Sequence, residues 1–158
     1  MTSTTPNTIE KNLGVVEKQF ASVFDKAPHV PQGFKDFLVA IAPWLALIFG
    51  VLGLVSILGA GMLGMLMSMS FLQSGMMGAM FFVSLVAGLL VSLLDLMAFG
   101  PLRKREKKGW NYIFLGQLVS LVAAIINVAV GLGSGIAIQI VMMLVGFWLL
   151  FEVRGMYR

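Results

Sequence analysis

Two carboxylates, Asp95 and Glu152, stand near the ends of long uncharged apolar segments. An ionised aspartate at the centre of a lipid bilayer costs about 2.5–3.5 kcal/mol, and the cost falls toward the membrane surface. Two roles fit these positions. The carboxylates form ion pairs with Arg103, Arg105 or Arg154 that fix the helix ends, which the sequence favours, or they form a proton or cation site in a transporter.

Three neutral polar side chains lie inside apolar segments, namely Gln117, Asn127 and Gln139. Amide side chains within a membrane commonly hydrogen-bond to a neighbouring helix, for about 1 kcal/mol or less each. The same groups also suit the lining of a pore. The first role is the simpler interpretation, and the second stays open for an oligomer.

Seven methionines crowd the segment 62–80, which has no charge and is rich in glycine. Thioether sulfurs are soft ligands suited to Cu(I), so four closely spaced methionines form a candidate copper site. These are Met62, Met65, Met67 and Met69. Methionine is also a flexible packing residue, and flexible apolar filler is the favoured interpretation.

No catalytic arrangement is visible in the sequence. The chain has no cysteine and a single histidine, His29, so thiolate sites and multi-histidine metal sites within one chain are excluded. No phosphate-binding glycine loop with its lysine is present, and no serine–histidine–aspartate set. We therefore expect a protein that is not an enzyme and that needs no cofactor.

The composition predicts an all-α membrane protein, because 59% of the 158 residues are hydrophobic and only 11% are charged. Four segments have the length that a helix needs to cross a bilayer. A short interfacial helix at 34–42 should end at Pro43, and the second span should stop at Gly100-Pro101. The four predicted spans are 43–61, 77–99, 113–130 and 135–151.

A basic cluster in the predicted loop 100–112 orients these spans. Basic residues occur before the first span, between the second and third, and after the fourth, while the other two connections have none. Four helices with both termini in the cytoplasm satisfy the positive-inside rule, and anionic inner-leaflet lipid rather than nucleic acid explains the charge. The cluster comprises Arg103, Lys104, Arg105, Lys107 and Lys108.

Small residues recur at helical spacing in the first two spans. In the first span they include Gly50 and Gly53, and in the second Gly88 and Ser92 share a face with Asp95. Small side chains let two helices approach closely in lipid, where packing replaces the hydrophobic drive. We therefore expect Asp95 to face other helices rather than lipid.

The first 33 residues form a separate cytoplasmic segment with a polar tail, an amphipathic helix and a proline-rich linker. Apolar residues recur at spacings of three and four along the helix, which defines one face. That face either lies in the membrane surface, or it pairs as a short coiled coil or binds another protein. It consists of Ile9, Leu13, Val16, Phe20 and Val23.

Three stretches together carry a resemblance: IAPWLALIFGVLG at 41–53, KKGWN at 107–111 and GFWLLFEVRGMYR at 146–158. They resemble a family of small, uncharacterised bacterial membrane proteins with four transmembrane helices. Members show APWLAL at the first span, KKGWNLLFY at the third and GFYLLFQIRSYYK at the end. The Met-rich segment and Glu152, where glutamine is common, depart from that pattern. The resemblance implies the bacterial cytoplasmic membrane and brings no activity.

These observations predict a structural or interaction subunit of a bacterial membrane assembly, without catalysis. The expected partners are inner-leaflet lipids and either further copies of the chain or another membrane protein. The alternative is an oligomeric small transporter or channel that uses Asp95 and the amide-bearing helix faces. Cu(I) handling by the methionines is a weaker third possibility.

Overall fold

The computed structural model describes residues 14–19, 31–61, 63, 76–129 and 136–157, and within them all regular structure is helical. Four long helices follow one another: α1 Gln32–Ser56, α2 Met76–Arg103, α3 Lys107–Ala129 and α4 Ile136–Glu152. A π-helical turn, Ile57–Gly61, extends α1, and a 3-10 turn, Arg154–Met156, follows α4.

The chain divides into two compact units, Met1–Val30 and Pro31–Arg158. In the first unit, residues 14–19 are helical, and Val16 of the predicted amphipathic face lies half-buried there. The other residues of that face lie outside the described part of the chain, so the amphipathic helix stays a prediction.

Three helical segments are long and apolar enough to cross a membrane, which makes the chain a multi-pass membrane protein. They are Gln32–Gly59, Phe81–Arg103 and Lys107–Ala129. Most of their large apolar side chains are exposed, as expected for surfaces that face lipid. The 17 residues of α4 extend for about 26 Å, slightly less than a hydrocarbon core of about 30 Å.

The helices pack mainly in chain order, with α1 against α2, α2 against α3 and α4 against α3. The small stripe predicted for the first span is confirmed at the contact between α1 and α2. Gly53 lies directly against the Ser92 side chain, and a Cβ on Gly50 would lie 2.8 Å from Cγ of Leu96. The Ser92 hydroxyl is satisfied within its own helix, because it donates to the Gly88 carbonyl oxygen at 2.9 Å.

The prediction that a short interfacial helix ends at Pro43 is wrong. Pro43 is buried inside α1, which runs without interruption from Gln32. Proline removes one backbone hydrogen bond from a helix, and neighbouring helices in a membrane protein compensate for that loss. The first turns of α1 therefore belong to the same helix as its membrane-spanning part.

The predicted stop at Gly100-Pro101 is also wrong, because α2 continues through Pro101 to Arg103. The helix ends in a Schellman arrangement: Glu106 N–H donates to the Pro101 carbonyl at 2.9 Å, and Arg105 N–H donates to the Leu102 carbonyl at 3.0 Å. Arg105 has φ of 55°, the left-handed conformation usually taken by glycine there.

The connection between α2 and α3 is therefore only residues 104–106, whereas the sequence predicted a loop over 100–112. Such a short connection requires the two helix ends to approach closely, and Gly109 makes this possible. A Cβ there would lie 2.6 Å from the backbone nitrogen of Leu102 and 3.0 Å from the backbone carbon of Pro101. Since backbone atoms cannot move aside as a flexible side chain does, the hairpin depends on this glycine.

We expect Gly109→Ala to destabilise the protein by about 1–3 kcal/mol, the usual cost of overpacking a close contact. Thermal unfolding in detergent micelles measures the loss. Gly100→Ala is the matched control, because a Cβ on Gly100 has no neighbour within 4 Å. Equal melting temperatures for the two variants would contradict this role of Gly109.

Candidate intramembrane site

A cleft of about 460 Å³ lies among the four helices, and we call it the Asp95 cleft. Most of its wall is apolar, and the polar side chains that line it include one carboxylate, one amide and one phenol. Its lining includes Leu45 and Phe49 of α1, Asp95 of α2, Gln117 of α3, Leu149 of α4 and the C-terminal Tyr157.

The inner face of α2 carries Asp95 into this cleft. Ser92 and Ala98, three residues before and after it, are both buried, and Leu102 one turn further on is buried too. Residues at these spacings share one face of a helix. The prediction that Asp95 faces other helices is thus confirmed.

The Asp95 carboxylate is half-buried and forms no hydrogen bond or ion pair with any residue that the structure describes. None of the arginines predicted as its partner, Arg103, Arg105 and Arg154, therefore pairs with it. A buried carboxylate normally has a cationic partner or several donors, because losing water without compensation is costly. Asp95 thus presents to the cleft a carboxyl group without a compensating partner, which can take up a proton or bind a cation.

Gln117 reaches the cleft because α4 has a glycine opposite it. A Cβ on Gly146 would lie 3.0 Å from the amide nitrogen of Gln117. The amide therefore occupies space that any larger residue at this position of α4 would require.

Tyr157 contributes the third polar group, although the sequence did not single it out. The side chain is only 6% exposed, and its hydroxyl has no hydrogen-bond partner in the described part of the chain. Burial raises the pKa of the Tyr157 phenol, while the nearby Arg105 lowers it in part. The phenol therefore stays neutral at physiological pH and keeps a proton to donate. In the sequence, nothing beyond the presence of a tyrosine near the C-terminus could have indicated that Tyr157 lines this cleft.

An aromatic cluster fixes α4 against α3 beside the cleft. Trp110 stacks on Phe114 with ring centroids 5.1 Å apart and meets the edge of Phe151 at 5.6 Å, while Phe114 meets Phe147 at 6.2 Å. The Trp110 indole also donates a hydrogen bond of 2.8 Å to the Leu150 carbonyl oxygen. A tryptophan at the start of a span usually anchors at the membrane surface, and the sequence predicts that position for both Trp44 and Trp110. Trp110, at 1% exposure, is instead a core residue.

Glu152 pairs with Lys35, a residue that the sequence did not suggest as its partner. The lysine Nζ and the carboxylate Oε1 are 2.8 Å apart, and their side chains are only 19% and 7% exposed. Lys35 precedes Leu38 by three residues and Glu152 follows Leu149 by three, and both of those leucines line the cleft. The ion pair therefore joins α1 to α4 at the rim of the cleft.

Arg103 lies near aromatic rings and does not pair with Asp95. Its guanidinium carbon is 5.9 Å from the ring centre of Trp44 and 5.6 Å from that of Phe99. Trp44 is 52% exposed, which suits the predicted anchor at the membrane surface. Arg103 thereby adds a cation–π contact of about 0.5–1 kcal/mol at an exposed site.

The remaining predicted site residues are distributed as follows. Asn127 is half-buried in α3 and does not line the Asp95 cleft. Gln139 belongs to α4, but its side chain lies outside the described part of the structure, as do Met62, Met65, Met67 and Met69. Lys104 and Arg105 are exposed in the short turn, whereas Lys107 and Lys108 begin α3. Among the described residues, no group of three or more acidic, histidine or cysteine side chains is placed to hold a metal ion.

No protein-family model, curated protein or solved structure matches this chain. The resemblance of residues 41–53, 107–111 and 146–158 to the four-span bacterial family therefore stays a prediction. The class that the structure defines is a helical, multi-pass membrane protein with an Asp95 cleft between its helices.

We expect Lys35→Met and Glu152→Gln each to destabilise the protein by about 3 kcal/mol, since each leaves a largely buried charge or amide without its partner. The double variant should lose less than the sum, because both members of the pair are then removed. Thermal or denaturant unfolding of the three variants in detergent measures the coupling free energy between Lys35 and Glu152. Lys108→Met, at an exposed position of α3, is the control, and strictly additive losses would argue against the ion pair as a link between α1 and α4.

Proposed function

We propose that the chain is a four-span protein of the bacterial cytoplasmic membrane with both termini in the cytoplasm. Support for the fourth span comes from α4, which has no charged residue before Glu152 at its end. Membranes adapt to slightly short helices by local thinning, at a modest cost per ångström. The distribution of basic residues supports the orientation, and the three resembling stretches support the bacterial origin.

We further propose that this protein is a small transporter whose substrate site is the Asp95 cleft. The observation that carries the proposal is the Asp95 carboxylate, which lines the cleft without a partner among the described residues. The sequence favoured ion pairs that fix the helix ends, and Glu152 has such a role with Lys35. Asp95 forms no such ion pair among the described residues. A carboxylate in a membrane-spanning helix commonly binds a proton or a cation, and we propose that role for Asp95.

A carboxylate in this environment can bind a proton or a cationic solute, and the two compete for the same oxygen atoms. Such competition is the basis of exchange: release of the proton prepares the site for the solute, and solute release allows protonation again. The Lys35–Glu152 pair at the rim links two helices whose separation sets the width of the cleft. Opening this pair would widen access from the cytoplasmic side.

We expect Asp95→Asn to reduce proton flux at least about tenfold in proteoliposomes with an imposed pH gradient and monovalent counter-cations on the opposite side, as the amide cannot bind and release a proton. A pH-sensitive dye inside the vesicles measures the flux. Asp36→Asn, an equal charge change at an exposed position of α1, should leave it unchanged.

The particle mass and melting temperature of both variants must match those of the parent protein. A folded Asp95→Asn protein with full flux would exclude the transporter proposal. An Asp95→Asn protein that fails to assemble would instead favour the structural role that the sequence suggested.

A second candidate function is a subunit that associates with further copies of itself, and an apolar groove between α2 and α3 favours it. The groove has a volume of about 780 Å³ and is lined by Phe82, Val86 and Leu90 of α2 and by Leu118, Val122 and Ile126 of α3. We propose that α4 of a second copy fills it. The outer face of α4 is a continuous apolar ridge of exposed side chains, namely Ile138, Val141, Met142 and Val145.

In lipid, such an association depends on close packing rather than on removal of apolar surface from water. Ala123→Trp, at a small residue that lines the groove, should therefore convert an oligomer into a monomer. Native mass spectrometry of the protein in lipid nanodiscs measures the change. Ile125→Trp is the control, because Ile125 is exposed on the same helix but lies outside the groove. A parent protein that is already monomeric would exclude this candidate.

A further inference from the structure

We infer that the Asp95 cleft binds a lipophilic organic cation with a single positive charge, and that the ligand reaches it from the lipid bilayer. The inference rests on the proposed role of Asp95 as the binding group and names the class of ligand. It follows from the size of the cleft, its charge, the character of its wall and its position beside exposed residues of α1.

The size and wall of the cleft suit a ligand with a large apolar body. Its volume of about 460 Å³ is within the range of about 300–1,000 Å³ found for sites of drug-sized molecules. Aliphatic side chains from all four helices line most of it. A small hydrated ion would leave that wall in contact with water, whereas an apolar body fills it.

The charge of the cleft calls for one positive charge. Asp95 is the only ionisable residue other than the neutral Tyr157 phenol among the residues that line it. The basic groups near the cleft do not pair with Asp95: Lys35 pairs with Glu152 at the rim, Arg103 lies over Trp44, and Arg105, near Tyr157, is exposed in the short turn. A ligand with one cationic group therefore compensates Asp95, whereas an anionic ligand would meet an uncompensated carboxylate.

The groups around the carboxylate favour an organic cation over a metal ion. Divalent calcium takes six to eight oxygen ligands, and one carboxylate supplies far fewer. The lining of the cleft includes instead three aromatic residues, Phe49, Trp110 and Tyr157, and aromatic rings attract weakly hydrated organic cations. The amide oxygen of Gln117, which lines the cleft, can accept a hydrogen bond from an ammonium group of the ligand.

The route of access lies along α1. Leu45 and Phe49 both line the cleft and are both exposed on the protein surface. This part of α1 belongs to a membrane-spanning segment, so the surface beside it faces lipid. A lipophilic cation concentrates in the membrane and can reach Asp95 from there without crossing water.

Two probes of the same shape and opposite charge test the inference, namely tetraphenylphosphonium and tetraphenylborate. Binding is measured by equilibrium dialysis against the full chain in nanodiscs of zwitterionic lipid, with empty nanodiscs to subtract partition into lipid. Benzyltrimethylammonium serves as a smaller cation in case the larger probe exceeds the cleft. We expect saturable binding of at least one cation and no saturable binding of the borate.

Asp95→Asn should weaken binding of the cation probes at least tenfold. Asp36→Asn, the exposed control, should bind as the parent protein does. Ala42→Phe places a ring in the cleft and leaves the carboxylate unchanged, so it should also reduce cation binding. It provides a second test in case the Asp95→Asn protein does not fold. Ala42 lines the cleft and is half-buried.

Three results would overturn the inference: equal binding of the phosphonium and the borate, no saturable binding of either cation, or unchanged affinity in a folded Asp95→Asn protein. The outcome is separable from that of the transporter proposal. Cation binding that depends on Asp95, together with flux that does not, would leave a binding protein and exclude transport. Proton flux that depends on Asp95 without cation binding would retain the transporter and exclude this ligand class.

Discussion

The close approach of α1 to α2 at Gly53 and Ser92 sets the position of the carboxylate on which the candidate site depends. Ser92 satisfies its hydroxyl within α2, so the contact between the helices needs only space, which the glycines of α1 provide. With this face of α2 fixed against α1, Asp95, three residues further on, must face the space between the helices rather than lipid. The position of the Asp95 carboxyl group, without a partner among the described residues, therefore follows from packing between neutral residues of α1 and α2.

The wall opposite α2 depends on a different set of contacts. Trp110 and Phe114 hold α4 to α3 through ring packing and one hydrogen bond to the α4 backbone, while Lys35 and Glu152 join the ends of α1 and α4. Ring packing and the Trp110 hydrogen bond hold α3 to α4 through close contacts with favourable ring geometry. Between α1 and α4, the described residues form the Lys35–Glu152 pair at the rim of the cleft, so a change in the width of the cleft there requires this pair to open.

Much of the fold could be predicted because the bilayer restricts what a sequence can do. Long apolar segments must be helical in lipid, and glycines at helical spacing allow close contacts, as Gly50 and Gly53 do. The prediction failed at Pro43 and Pro101, where local propensity indicated helix ends and neighbouring helices support a continuous helix instead. It also failed at Trp110, because residue type alone does not distinguish a surface anchor from a core residue.

The sequence by itself determined that the chain is a helical membrane protein, that its spans carry small-residue faces, and that Asp95 shares one of those faces. These properties follow from composition and periodicity, which are local. Only the tertiary structure decided that Glu152 pairs with Lys35, that Asp95 has no partner among the described residues, and that Tyr157 joins it in one cleft. The reason is physical: this ion pair and this cleft bring together residues from different helices, far apart in the chain, and the distances between them depend on how whole helices pack.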